Sequence, residues 1–120
     1  MITKQSARNK GKSWEREIAE LLTSITGAKW RRTPCSGAIR HYFDGDIMKT
    51  DKKPTIIDDC LIECKNHKTL KIPDWIKRTE EEAKDANTNK WLLFFKHKGK
   101  GFVAMPIDYF SKLLKSKENV

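Results

Sequence analysis

The sequence predicts an α/β fold, a central mixed β-sheet flanked by helices, on three observations. Apolar residues recur at helical spacing over 13–26 (Trp14, Ile18, Leu21, Leu22, Ile25). A period of two governs 56–65, and two short apolar runs follow around a glycine-containing turn. With two further helical stretches the order reads α, β, β, β, α, β, β, α, which calls for a sheet covered by helices. At 120 residues, 38% hydrophobic and 34% charged, the chain holds material for one core, with no internal repeat to divide it. One folded domain is therefore expected over 13–120, behind a flexible basic arm over 1–12.

The arm carries Lys4, Arg8, Lys10 and Lys12 without any apolar period. Ser13 then suits a helix N-cap, Glu15 and Glu17 suit the positive end of the helix dipole, and Gly27 is a stop signal. The apolar stripe centres near Ile18 and Ile25, with Glu15 beside Leu22 on one shoulder and Glu17 on the other; Arg16 and Glu20 face away. Either shoulder glutamate can reach over whatever the helix packs on.

Trp30 to Thr33 reads as a short strand broken by Pro34, and Cys35 to Phe43 as a loop of small, basic and aromatic residues. Asp44-Gly45-Asp46-Ile47-Met48 looks like a turn feeding a strand, and Lys49 to Pro54 like a polar turn. The next strand, Ile56 to Lys65, puts Cys60, Ile62 and Cys64 on one face and Leu61, Glu63 and Lys65 on the other. Pro73 and Asp74 open a helix from Trp75 to about Ala86, closed by Asn87-Thr88-Asn89. Trp91 to Lys96 and Phe102 to Met105 form a hairpin around Gly99-Lys100-Gly101, and Pro106 leads a closing helix carrying Ile107, Phe110, Leu113 and Leu114.

Twenty-five Lys and Arg against 16 Asp and Glu give a net charge of +9, a field that attracts polyanions, of which nucleic acid is the commonest. The longest apolar run, Trp91 to Phe95, is far short of the roughly 20 residues that span a bilayer. The beginning lacks a secretory or lipidation signal, and three cysteines make no disulfide framework. A cytoplasmic protein with reduced thiols and no membrane or small-molecule cofactor is expected.

The sharpest constellation is Asp46 followed by Glu63-Cys64-Lys65. An acid entering one strand and an acid on its neighbour can converge on a hard cation, since magnesium prefers carboxylate oxygens. Period two sets the Lys65 ammonium on the face of Glu63. That combination suits phosphodiester hydrolysis: the ion polarises the phosphate and acidifies water, and the lysine orients water or stabilises developing charge. The plain alternative is a surface Glu63–Lys65 pair contributing about 0–1 kcal/mol.

Asp46 with Glu63-Cys64-Lys65 resembles the PD-(D/E)xK nuclease core, with Gly45-Asp46 in place of the usual Pro-Asp. Gly11-Lys12-Ser13-Trp14-Glu15-Arg16-Glu17-Ile18 resembles the start of archaeal-type Holliday junction resolvases, which some phages also carry. Arg32-Thr33-Pro34-Cys35-Ser36-Gly37 is similar to that family's arginine and serine-glycine loop, Asp46-Ile47 to its Asp-Ile/Leu, and Trp91 to Pro106 to its paired strands and closing segment. The resemblance spans roughly Gly11 to Lys115. It implies a restriction-endonuclease-like fold and a homodimer that nicks two opposed strands of a four-way DNA junction with Mg2+, for which Mn2+ substitutes. It further implies metal ligation by Glu15, Asp46 and Glu63, a catalytic Lys65, and Ser36 near the scissile phosphate; in this frame Glu15 is chosen over Glu17.

The connection from Ala38 to Gly45 is longer than the family's, and Asp44 competes with Asp46; Asp46 is favoured because Ile47-Met48 continues as a strand. Phosphate contacts are expected from Lys10 and Lys12 of the arm and from Arg31, Arg32, Arg40, Lys68, Lys98 and Lys100, independent of sequence and salt-sensitive. Cys60-x3-Cys64-x2-His67 lacks the second pair a zinc site needs, so the thiols read as core residues. His41 and His67 read as solvated, Lys98-Gly99-Lys100-Gly101 as a turn without the P-loop spacing, and Glu80-Glu81-Glu82 as a solvated helix face. Trp75 and Trp91, on apolar stripes, read as core or dimer interface. Two rivals stand beside the resolvase reading: a nuclease of the same fold acting on duplexes or flaps, and a basic DNA-binding protein without catalysis, in which Asp46, Glu63 and Lys65 do not converge.

Overall fold

The computed structural model describes residues 4–34 and 45–118. Its elements run α1 (Lys4–Thr26), β1 (Trp30–Arg32), β2 (Ile47–Lys49), β3 (Leu61–Lys65), α2 (Ile72–Asp85), β4 (Trp91–His97), β5 (Lys100–Ala104) and α3 (Ile107–Glu118), in the predicted order. β3, β4 and β5 form a mixed sheet in which β4 is central, parallel to β3 and antiparallel to β5. β1 and β2 form an antiparallel ribbon. It is tied to the sheet at Asp46, whose N–H donates to the Ile62 carbonyl at 2.7 Å. The α/β class with a helix-flanked mixed sheet is thus realised as three strands plus a two-stranded ribbon.

The alternation along β3 divides the core in two. Ile62 and Cys64 face the α1 side with Trp14, Ile18, Leu22 and Leu92; Leu61 faces the α2 side with Trp75, Ala83, Trp91 and Leu93. The Trp14 indole N–H donates to the Phe94 carbonyl at 3.1 Å, fixing α1 to the strand it crosses. Trp75 and Trp91, read from sequence as core or dimer interface, belong to the chain's own core.

Several expectations need correction. α1 starts at Lys4, so residues 4–12 continue the helix and Ser13 lies inside it. Once the Trp14–Leu22 segment is docked, each added residue gains a backbone hydrogen bond, and 4–13 contain no proline; Gly11 weakens the helix there by about 1 kcal/mol without breaking it. The buried face of α1 is Trp14, Ile18, Ala19 and Leu22, whereas Leu21 and Ile25 are exposed. The helix is rolled toward the Glu15–Leu22 shoulder. Its last turn is tied instead through Thr23 and Thr26, whose hydroxyls accept from the Trp30 backbone and indole N–H groups.

β3 begins at Leu61 rather than Ile56, because residues 56–59 form a turn. Asp58 accepts from the Thr55 backbone and hydroxyl and from Lys49 Nζ, a local capture that outcompetes strand pairing. The hairpin turns at Lys98–Gly99, with Lys100 already paired to His97 in β5. α3 docks through Tyr109 and Leu113, leaving Ile107, Phe110 and Leu114 on its outer face. No helix among the described residues is long and apolar enough to cross a membrane.

Candidate active site

Asp46 is held from three directions. Its N–H donates to Ile62, its carbonyl accepts from the Thr33 N–H at 2.9 Å, and its Oδ2 accepts from the Cys64 N–H at 2.9 Å. The residue before it, Gly45, has φ +83°, and a Cβ there would lie 2.7 Å from the Ile62 carbonyl oxygen. Proline, with φ fixed near −65°, cannot take that conformation, so the Gly45-Asp46 departure from Pro-Asp follows from how this turn approaches β3.

Glu63 is 5% exposed, on the α2 face of β3. Burial first, and then the neighbouring carboxyl groups of Glu82 and Asp46, push its carboxyl far above the usual range. Among the described residues no donor reaches the buried Glu63 Oε1. A solvated Glu63–Lys65 pair is therefore not what β3 carries: the glutamate is inside, and Lys65 lies two residues on, half-buried, along the same face.

Glu15 comes from α1 and accepts from Arg32 Nε at 2.9 Å. Burial raises its carboxyl above the ordinary value, Arg32 lowers it, and the Asp46 charge raises it again. Glu17 turns the other way, its Oε2 accepting from Lys96 Nζ at 2.8 Å. The roll of α1 thus puts Glu15, not Glu17, within electrostatic reach of Asp46. Glu82, expected on a solvated face, is the acid that sequence reasoning missed. Trp75, Thr79, Ala83 and Ala86 trace the inner stripe of α2, and Glu82, seven residues after Trp75, falls beside it. That spacing was the available signal.

Glu15, Asp46, Glu63 and Glu82 follow one another from α1 across the strands to α2. Among the described residues no three or more His, Cys, Asp or Glu side chains form a group that could by itself hold a metal ion. The chemistry of the donors nonetheless fits a hard divalent cation: they are carboxylate oxygens, and the buried Glu63 Oε1 has no hydrogen-bond partner among the described residues.

Basic grooves lie on two sides. One, about 560 Å³, is lined by Lys12, Arg16, Arg31 and Arg32, the last being the partner of Glu15. The other, about 730 Å³, is lined by Lys10, His67, Lys68, Lys96, His97 and Lys98, and begins at the residues following Lys65. Lys100 starts β5 just past the turn, exposed. Arg16, which the helical wheel turned away from the core, and Lys96 line grooves without having been singled out. A further cavity, about 970 Å³, lies toward the Leu61 end of β3 and is lined by none of the four acids. Cys64 is buried and Cys60 packs against the same core, and burial pushes both thiols up, Cys60 to about 12. Ser36, Arg40, His41 and Asp44 lie outside the described residues.

The sequence pattern of the family described as "Phage putative PDDEXK endonuclease" matches residues 6–120. The chain is also similar to Protein D14 of Escherichia phage T5, 28% identical over 113 residues that cover 82% of this chain and 70% of that protein. No solved structure matches it significantly.

Proposed function

The chain belongs to the phage PDDEXK endonuclease family and is a nuclease of the PD-(D/E)xK kind, and on that premise we propose that it resolves four-way DNA junctions by divalent-metal-dependent phosphodiester hydrolysis. The observation that carries the chemistry is the convergence of Asp46, held at the entrance to β2 by the Cys64 N–H, and Glu63 of β3, whose charges act on each other and whose buried Oε1 has no donor among the described residues, with Lys65 two residues on along β3. In this reading Asp46 and Glu63, assisted by Glu15, hold Mg2+ or Mn2+, which supplies charge to polarise the phosphate and acidify water.

The chain's own residues do the rest. The Cys64 N–H and the Ile62 carbonyl fix Asp46, so its carboxylate needs no reorganisation when DNA arrives. Arg32 restrains Glu15 at the edge of the site. The Lys65 ammonium stabilises charge as water attacks phosphorus and a P–O bond breaks, leaving a phosphate monoester and an alcohol. Ser36 sits near the scissile phosphate by resemblance alone.

The two basic grooves supply paths for the backbones on either side of the acids. Lys10, Lys68 and Lys98 serve one, Lys12, Arg31 and Arg32 the other, with Lys100 and Arg40 as flanking contacts. Binding through such contacts weakens steeply with salt and ignores sequence. Paired nicking calls for a homodimer. The exposed Ile107, Phe110 and Leu114, at i, i+3 and i+7 of α3, supply an apolar stripe that a second copy can cover. Host cytoplasm is the compartment this activity implies.

The test compares a four-way junction with the matched linear duplex, each with Mg2+ and with EDTA. Nicks in opposed junction strands, absent with EDTA, are the expected result. Equal cutting of the duplex moves the protein to the restriction or repair type, and binding without magnesium-dependent nicking at any concentration leaves a non-catalytic DNA binder.

A further inference from the structure

We propose that Phe102 is a stacking platform for an unpaired nucleobase of the DNA, held beside the scissile phosphate by an aromatic row that crosses the sheet from the end of β3 to its outer edge. This role rests on the reading of the chain as a nuclease with Lys65 at the cleaved phosphate, and it names the feature of the substrate that the site takes.

Strand register builds the row. Lys65 of β3 pairs with Phe95 of β4, and Phe95 pairs with Phe102 of β5, so the three side chains stand in one line on the α2 face. Phe102 therefore lies two strand spacings from Lys65, about 10 Å. That is the span from a phosphate to the base of a neighbouring nucleotide. The rings follow one another: His67 lies 5.4 Å from Trp75, Trp75 6.3 Å from Phe95, and Phe95 5.5 Å from Phe102, centroid to centroid. The last pair is stacked, with 18° between its planes, whereas the two before it are tilted at 48° and 52°.

The outer member of the row is open. Trp75 is buried and Phe95 half-buried, but Phe102 is 45% exposed on the edge strand of the sheet. A large ring at that position closes no core, and a bare apolar edge is a hazard that strands ordinarily blunt with charge. Stacking on Phe95 restrains the ring, so a flat partner meets a preset surface.

Charge chooses the occupant. Along β5 the same face carries Lys100, exposed, two residues before Phe102, and its register partner is His97. At the inner end of the row, His67 lines the basic groove with Lys68 and Lys98. A second copy of this chain, itself at +9, would bring like charge to such a surface, whereas a polynucleotide brings phosphates for the lysines and a π-face for the ring. Every base has such a face, but in a duplex its neighbours cover it. The platform therefore selects unpaired bases, as a branch point supplies, without reading which base it holds.

The probes are a fluorescein-labelled oligothymidylate and a duplex of the same length, titrated with the full chain in EDTA at one fixed salt concentration and read by anisotropy. Phe102→Ala, and Phe102→Leu, which keeps an apolar side chain without a π-face, are each expected to bind the single strand about 5- to 100-fold more weakly than wild type, the affinity of stacking one base, while duplex affinity changes less than about twofold. Phe102→Trp is expected to bind the single strand at least as tightly as wild type. Circular dichroism checks the fold of each variant, and Phe102→Leu carries the test should Phe102→Ala fail to fold. Equal single-strand affinity in wild type and the Ala and Leu variants overturns the platform and leaves the nuclease reading standing. So does a loss of dimer mass in sedimentation by Phe102→Ala with Phe102→Leu binding like wild type, which assigns the ring to a second copy. Binding of neither probe by wild type overturns both readings.

Discussion

Asp46→Asn and Glu63→Gln are each expected to lower the single-turnover nicking rate by about 10³-fold or more, the scale of removing one preorganised charge from a transition state. Affinity for uncut DNA, read by gel shift with Ca2+, is expected to change by less than about threefold, because the proposed function assigns the phosphate contacts to the lysines and arginines that line the two grooves. The two variants fail differently. Asn at 46 can still accept from the Cys64 N–H, so the turn keeps its shape and only the charge is lost. Gln at 63 replaces an acid that has no donor with an amide that can itself donate to Asp46 or Glu82. Without metal, Glu63→Gln is therefore expected to raise stability in urea by about 1–3 kcal/mol at neutral pH, because a carboxyl held far above its usual range must take up a proton on folding, whereas glutamine is neutral in both states; the gain disappears below the ordinary glutamate pKa. Cleavage at the wild-type rate by either variant contradicts the site. A metal-free Glu63→Gln protein less stable than wild type contradicts the account of Glu63 as a strained buried acid.

That destabilising acid explains which parts of the site could be read from sequence. Period two alone put Glu63 and Lys65 on the face opposite Ile62 and Cys64, and the structure has them so, because a strand offers its side chains only two directions. A helix offers a continuum. The apolar stripe of α1 left Glu15 and Glu17 equivalent; what separates them is the roll that buries Ala19 and exposes Ile25, and that roll is set by the sheet beneath. Glu82 was hidden for a related reason: three consecutive glutamates look solvated by composition, and only the position of the second helix over β3 turns one of them inward. The parallel pairing of β3 with β4 and the capture of Asp58 by Thr55 and Lys49 are likewise contests between alternatives of similar local merit, decided by contacts distant in sequence. The start of α1 at Lys4 is the opposite case, where weak local preferences were enough once packing had nucleated the helix.

Gly45→Ala is the substitution outside the acids expected to do the most damage. At φ +83° an alanine pays about 1–2 kcal/mol for the left-handed region, and its Cβ would stand 2.7 Å from the Ile62 oxygen and 3.0 Å from the Ile62 nitrogen, both backbone atoms that cannot swing aside. The strand must retreat. With it goes the Asp46 N–H bond to Ile62, the only backbone bond tying the ribbon to the sheet among those from Asp46, and the Asp46 carboxylate is carried away from Glu63. A displacement of about 1 Å at a reacting centre costs about 10²-fold in rate, so nicking is expected to fall by that order while stability falls by about 2–4 kcal/mol. The control is Gly27→Ala. Gly27 closes α1 at φ +78°, and its added Cβ would meet only the end of the Lys53 side chain, which can move. It bears the same backbone strain without touching the site, so it should lose about 1–2 kcal/mol and keep its nicking rate. If the two variants lose activity in proportion to stability alone, the close approach of Gly45 to β3 is not what aims Asp46. If only Gly45→Ala loses it, the catalytic carboxylate is positioned by the absence of one methyl group.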